Sequence, residues 1–271
     1  MSATHAAFET VRSADGTTIA YERFGAGPAL ILASGAFCDR ATPASGTALA
    51  RRLADRFTTV AYDRRGRGDS NDLGAEPSLA REVEDIAALI AAIGQPVSLF
   101  GMSSGGALVL EAVLAGLPVD KVAVYEVPYA VTAGREQQSR DYFSELSKTL
   151  AENRRADAAR LFMRTAGMPE DMIAGMEHSP YWSGMQAIAP TLMHDALAMH
   201  FSTGGRIPEA LARMSNRTLV AVGSDSPPML TEPGRALANL LPNATFELLP
   251  EQTHNVSVDA IESVLRRFLL A

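Results

Sequence analysis

The sequence predicts an α/β fold, a mostly parallel central sheet flanked by helices with a helical cap inserted into the series. Three observations carry it. Short apolar runs alternate with amphipathic helical stretches over the first half of the chain. That alternation stops at Pro128 and resumes only after Pro208. Between Val97 and Leu110 the segment VSLFGMSSGGALVL reads as strand, sharp turn and helix, with Ser103 at the apex.

Taken in order, Phe8 to Arg12 and Thr18 to Phe24 alternate with period two about Asp15-Gly16, which predicts an antiparallel hairpin. Ala29 to Ala33 and Thr58 to Tyr62 are apolar runs of the kind buried on both faces of a parallel sheet. Between them, Gly46 to Asp55 carries Leu49 and Leu53 four apart and predicts a helix. Ser78 to Ile93 predicts a longer one, with Val83, Ile86, Leu89, Ile90 and Ile93 on one face and Gly94 and Pro96 to stop it. Val122 to Val127 reads as the next strand. From Pro128 onward only helical stretches rich in methionine appear, with Tyr181 and Trp182 among them. Alternation returns at Thr218 to Val222, Glu232 to Leu241, Thr245 to Leu249 and Val258 to Leu270. The division that follows is a core of residues 1–127 and 209–271 with a cap of residues 128–208 over the carboxyl edge of the sheet, where open α/β sheets bind ligands.

Composition narrows the function. A chain of 271 residues, 47% hydrophobic and 20% charged, fits one α/β domain with an insertion. Its formal charge of -7 supplies no basic field for nucleic acid or an anionic membrane. No apolar run is long enough to span a bilayer, and the N-terminus lacks the basic and apolar regions of a signal peptide, so a cytoplasmic protein is expected. A homodimer is compatible with all of this. Cys38 is the single cysteine, which rules out an internal disulfide, and it reads as a small residue packed in a loop rather than as a nucleophile. His194 and His200 lie six apart, off a shared helix face, so no metal is expected.

Chemistry enters at the serine. Gly101, Met102, Ser103, Ser104 and Gly105 match GxSxG, in which glycines let strand and helix crowd a turn that holds the serine in strained dihedrals. The Ser104 amide then lies at a helix N-terminus, aimed at whatever Ser103 attacks. A serine hydroxyl needs a base, and His254 near the C-terminus completes the chain order of serine, acid and histidine that this elbow requires.

With those pieces in place the chain resembles the α/β-hydrolase superfamily over nearly its whole length. The likeness rests on Ser34-Gly35-Ala36-Phe37 after the third strand, on Asp63-Arg64-Arg65-Gly66-Arg67-Gly68-Asp69-Ser70, similar to the family's DxRGxGxS turn, and on the Ser103 elbow with His254. The resemblance implies Ser103 as nucleophile, His254 as base, and an oxyanion hole of the Ser104 amide with that of Gly35 or Ala36. Residues 63–70 read as a hydrogen-bonded structural loop outside this chemistry.

The acid departs from the common pattern. Most relatives carry it after the strand placed at Thr218 to Val222, where this chain has Gly223-Ser224-Asp225-Ser226 with Asp225 one residue early. One step along an extended chain turns a side chain by about half a circle, away from the histidine. Glu126 stands at the end of the strand after the elbow helix, a placement similar to that of the acid in the fungal lactonases that open the macrocyclic lactone zearalenone. That resemblance implies Glu126 as the preferred acid, with Asp225 the alternative. The expected function is a cofactor-free serine hydrolase of an apolar carboxylic ester or lactone, with Trp182 in the cap contacting substrate. A carbon–carbon hydrolase with the same three residues and a non-catalytic ligand-binding homologue are the alternatives.

Overall fold

The computed structural model describes residues 8–42, 46–73 and 76–271. Eight strands form one sheet: β1 (Glu9–Arg12), β2 (Thr18–Phe24), β3 (Ala29–Ala33), β4 (Thr58–Tyr62), β5 (Val97–Met102), β6 (Val119–Tyr125), β7 (Arg217–Gly223) and β8 (Ala244–Leu249). Their spatial order is β1-β2-β4-β3-β5-β6-β7-β8. Antiparallel pairing is confined to β1 with β2 and β2 with β4, and the rest are parallel. The hairpin and the short apolar runs therefore form as the sequence predicts.

Every residue of β3 and β4 is buried, because both sheet faces are covered. Alternate residues feed two separate cores. Ile31, Val60, Leu99, Val122, Val124 and Val220 pack with α2 (Leu79–Ile93), α3 (Ser104–Leu114) and α9 (Pro228–Leu240). Their neighbours Leu30, Leu32, Ala61, Phe100, Ala123 and Leu219 face α1 (Thr47–Leu53) and α10 (Val258–Leu270) on the other side. A one-residue register slip would exchange the two sets, so burial on both faces specifies the pairing strongly. Gly94 closes α2 in the left-handed conformation at φ 71°.

Two elements differ from the sequence reading by more than two residues at one end. β6 starts at Val119 and ends at Tyr125, which leaves Glu126 and Val127 beyond its end. α9 starts at Pro228 instead of Glu232, since a proline suits a first helical turn whose N–H groups have no intrahelical acceptor.

Between β6 and β7 the chain runs through α4 (Ala133–Ala151), α5 (Arg155–Thr165), α6 (Glu170–Glu177), α7 (Trp182–Ile188) and α8 (Leu192–Ala198). Of these helices α4, α5 and α8 share an apolar cluster around Tyr142, Leu146, Ala158, Leu192 and Ala196. The cluster continues onto the turn after β3, where Phe37 meets Phe162 edge-on with ring centroids 5.2 Å apart. Among the described residues no helix is long and apolar enough to cross a membrane.

Candidate active site

Ser103 lies between β5 and α3 with φ 55° and ψ -127°, a conformation that costs an L-residue roughly 1–3 kcal/mol. The surroundings over-determine it. A Cβ on Gly101 would lie 2.3 Å from the Gly105 carbonyl oxygen, and one on Gly105 would lie 2.3 Å from that of Ala33. Only glycine lets strand and helix approach this closely. The Ser103 N–H donates to the Tyr125 carbonyl across to β6 at 2.9 Å, which ties the turn to the residue before Glu126.

Glu126 is fully buried and also has a positive φ, 49°. Its two oxygens have different partners. Oε1 accepts the Gly223 N–H at the end of β7 at 2.8 Å, and Oε2 lies 2.8 Å from His254 Nδ1. Burial alone would raise the carboxyl pKa, but hydrogen bonds from His254 and the Gly223 amide outweigh it and hold Glu126 below the usual range, ionised at neutral pH. The loop that carries His254 is anchored in turn, because the Tyr125 hydroxyl donates to the Thr253 carbonyl at 2.6 Å.

Asp225, the alternative acid, is exposed and accepts the hydroxyl of its neighbour Ser224 at 2.8 Å. Of the two carboxylates, it is Glu126 that meets the imidazole. Ser103 Oγ and His254 Nε2 carry no hydrogen bond among the described residues, an ordinary situation where a catalytic contact tightens only around substrate.

The turn after β3 brings a second stretch of backbone against the serine. A Cβ on Gly35 would lie 3.1 Å from Ser103 Cβ, so this backbone touches the serine. The Gly35 carbonyl accepts Arg67 Nη1 at 2.7 Å. The peptide is trans and planar, which turns the Ala36 N–H to the side opposite Arg67. Ala36 also lines the cavity beside Ser103 and Ser104. That cavity measures about 50 Å³, and Pro128, Tyr142, Phe162, Ala196, Met199 and Phe201 supply its apolar wall.

Residues 30–267 match the profile of the alpha/beta hydrolase family. The chain belongs to the alpha/beta hydrolase family. This hydrolase is similar over 96% of its length to all of an alpha/beta hydrolase from Sphaerobacter thermophilus, with 44% identity and a TM-score of 0.85. A thermophilic esterase from Thermogutta terrifontis shares the fold at 19% identity and TM-score 0.72, covering 98% of both chains. A 2-hydroxy-6-oxo-6-phenylhexa-2,4-dienoate hydrolase from Rhodococcus does so at 22% identity and TM-score 0.65, over 98% of this chain and 100% of its own. One fold thus carries more than one reaction, and the site has to specify which.

Of the remaining residues singled out from sequence, Trp182 begins α7, half-buried, with the Arg160 guanidinium 5.6 Å from its ring centroid, and it is not part of the cavity wall. Desolvation pushes the Cys38 thiol above its usual pKa, the opposite of an activated nucleophile. His194 Nε2 meets Asp72 at 3.0 Å and His200 Nε2 meets Glu111 at 2.7 Å, so each histidine faces one carboxylate.

Sequence reasoning missed Asp195. This buried residue of α8 lines the cavity and accepts the Ser104 hydroxyl at 2.7 Å. A lone acid on an apolar helix was the only local signal, and its partners lie 91 to 131 positions away.

Proposed function

We propose that this hydrolase cleaves small apolar carboxylic esters, unstrained or cyclised as lactones of small ring size, through an acyl-enzyme on Ser103. The observation that carries Ser103 as a nucleophile served by a base is the contact of Glu126 with His254 Nδ1 at 2.8 Å, made by a carboxylate whose other oxygen is pinned by a backbone amide. With Nδ1–H held by Glu126, Nε2 keeps its lone pair as a base. His254 takes the Ser103 proton as Oγ attacks the ester carbonyl, and the Ser104 and Ala36 N–H groups donate hydrogen bonds to the oxyanion. Collapse expels the alcohol, which takes the proton from His254. A water then repeats the sequence on the acyl group and restores Ser103. Every proton transfer is covered by side chains of the chain itself, so no step calls for a cofactor.

The cavity favours compact substrates over the macrocyclic lactones suggested by the position of the acid. A single water molecule needs roughly 10–15 Å³ of such space. About 50 Å³ therefore accommodates a group of a few heavy atoms. Purified protein assayed against aryl acetates, butyrates and decanoates, a small lactone, a macrocyclic lactone and a vinylogous diketone tests this. Acetate and butyrate turnover that Ser103→Ala abolishes supports the reading. Cleavage of the diketone alone would move the reaction to carbon–carbon hydrolysis.

A further inference from the structure

Arg64 and Arg67 are each about 1% exposed, and a buried guanidinium persists only with its charge and its donors answered. Glu82 takes one side of Arg64 in a bidentate pair at 2.7 and 2.8 Å. Asp195 meets the other side and bridges Arg64 to Arg67. Its Oδ1 accepts Arg64 Nη1 at 2.6 Å and the Ser104 hydroxyl at 2.7 Å, and its Oδ2 accepts Arg67 Nη2 at 2.7 Å. Burial opposes ionisation here, but Arg67 and Arg64 hold the Asp195 carboxyl below its usual range.

Each arginine also reaches the loop after β3, while Arg67 Nε donates to Thr191 Oγ1 at 3.1 Å. Arg64 Nη1 reaches the Ser34 carbonyl at 3.2 Å, and Arg67 Nη1 reaches that of Gly35 at 2.7 Å. Asp195 therefore grips the side chain of Ser104 directly and, through Arg67, the peptide that carries the Ala36 N–H. Those are the two oxyanion donors of the reaction proposed above. Asp195 belongs to the helical insertion, whereas everything it holds belongs to segments next to the sheet.

We infer that Asp195 is the positioning residue of the oxyanion hole, which is complete only when α8 is seated against Arg64 and Arg67. The inference rests on the ester-hydrolase reading. It assigns to the Asp63–Ser70 turn a part in the chemistry, since Arg67 aims a catalytic peptide as well as stabilising a loop. The link is one of orientation: the carboxylate never meets the substrate carbonyl, but it sets where the two amides point when the negative charge develops.

The test is steady-state kinetics on an aryl acetate for Asp195→Asn, with affinity for a trifluoromethyl ketone, whose adduct with Ser103 presents an oxyanion to the same amides. A misaimed donor predicts kcat lower by about 10- to 100-fold, KM within about threefold of wild type, and ketone affinity lower in proportion to kcat. Because Asp195→Asn removes a buried charge and can fail to fold, Arg67→Lys is measured beside it. It keeps a cation opposite Asp195 but cannot hold Asp195 and Gly35 in one planar fork, so the same kcat loss is expected. A folded variant with kcat and ketone affinity within twofold of wild type, or with a raised KM alone, overturns the inference. Ser103→Ala separates the two levels: if it remains active, the ester-hydrolase reading itself fails, whereas an inactive Ser103→Ala with unaffected Asp195 and Arg67 variants overturns only the role of Asp195.

Discussion

Replacing Glu126 with glutamine changes one atom in a site whose hydrogen bonds leave it no orientation that keeps the productive imidazole tautomer. The Gly223 N–H is a fixed backbone donor 2.8 Å from Oε1, so the amide oxygen must face it to avoid opposing two donors. The NH₂ group then faces His254 Nδ1, 2.8 Å from the present Oε2. An NH₂ donor there demands a lone pair on Nδ1, which moves the imidazole proton to Nε2, the atom that must be empty to accept a proton from Ser103. The variant loses the productive tautomer and the charge that stabilises imidazolium. From the serine-protease precedent for this substitution, kcat should fall by roughly 10³- to 10⁴-fold, about 4 to 5.5 kcal/mol of transition-state stabilisation. KM should stay close to wild type, because Glu126 is buried behind the histidine. Asp225→Asn, at an exposed carboxylate, should cost less than about tenfold. Stopped-flow or steady-state hydrolysis of an aryl acetate measures both, after circular dichroism and melting have shown that each is folded. A nearly inactive Asp225→Asn beside an active Glu126→Gln would refute the reasoning.

Further outcomes follow from other contacts. Gly105→Ala places a Cβ 2.3 Å from the Ala33 carbonyl oxygen, backbone that cannot rotate away, so it should lower stability by about 1–3 kcal/mol in thermal melts and reduce kcat with it. The hydrogen bond to Glu111 raises the His200 pKa above its ordinary value. The stabilisation from that pair is complete below the unfolded-state pKa and lost as pH rises through the higher folded-state pKa. His200→Gln should therefore lower Tm more at pH 5.5 than at pH 9, and an equal effect at both would contradict it. Trp182→Ala should leave acetate turnover within about twofold and weaken only esters long enough to pass beyond the cavity wall, which paired kcat/KM values for acetate and decanoate would show.

What the sequence made legible follows the range of the interactions. Continuous apolar runs at 29–33 and 58–62 announce strands buried on both faces, and Gly94 announces a helix end, because each pattern is local. Ser103 is legible because its strain requires glycines two residues away on either side. Glu126 could be chosen because its placement resembles that of the lactonases' acid and because a carboxylate ending an apolar strand needs a partner. The helix boundaries of α9 were obscured by Pro228 and Pro233, which break the periodicity without breaking the helix. Asp195 was out of reach for a different reason. Its contacts to Arg64 and Arg67 span 131 and 128 positions, and nothing in the spacing of one helix says which buried cation it will meet. The orientation of the Gly35–Ala36 peptide rests on the same contacts, because the arginine that holds its carbonyl is itself held by Asp195.

The central claim is that Ser103 is an activated nucleophile, and covalent labelling with a fluorophosphonate tests it most directly. An unactivated serine reacts negligibly with such reagents, whereas one served by His254 and Glu126 attacks phosphorus and expels fluoride. Peptide mapping by mass spectrometry should find one equivalent of adduct on Ser103, formed in step with the loss of esterase activity and much more slowly in Glu126→Gln. An adduct on another serine, or none on a folded protein that still hydrolyses esters, would contradict the account.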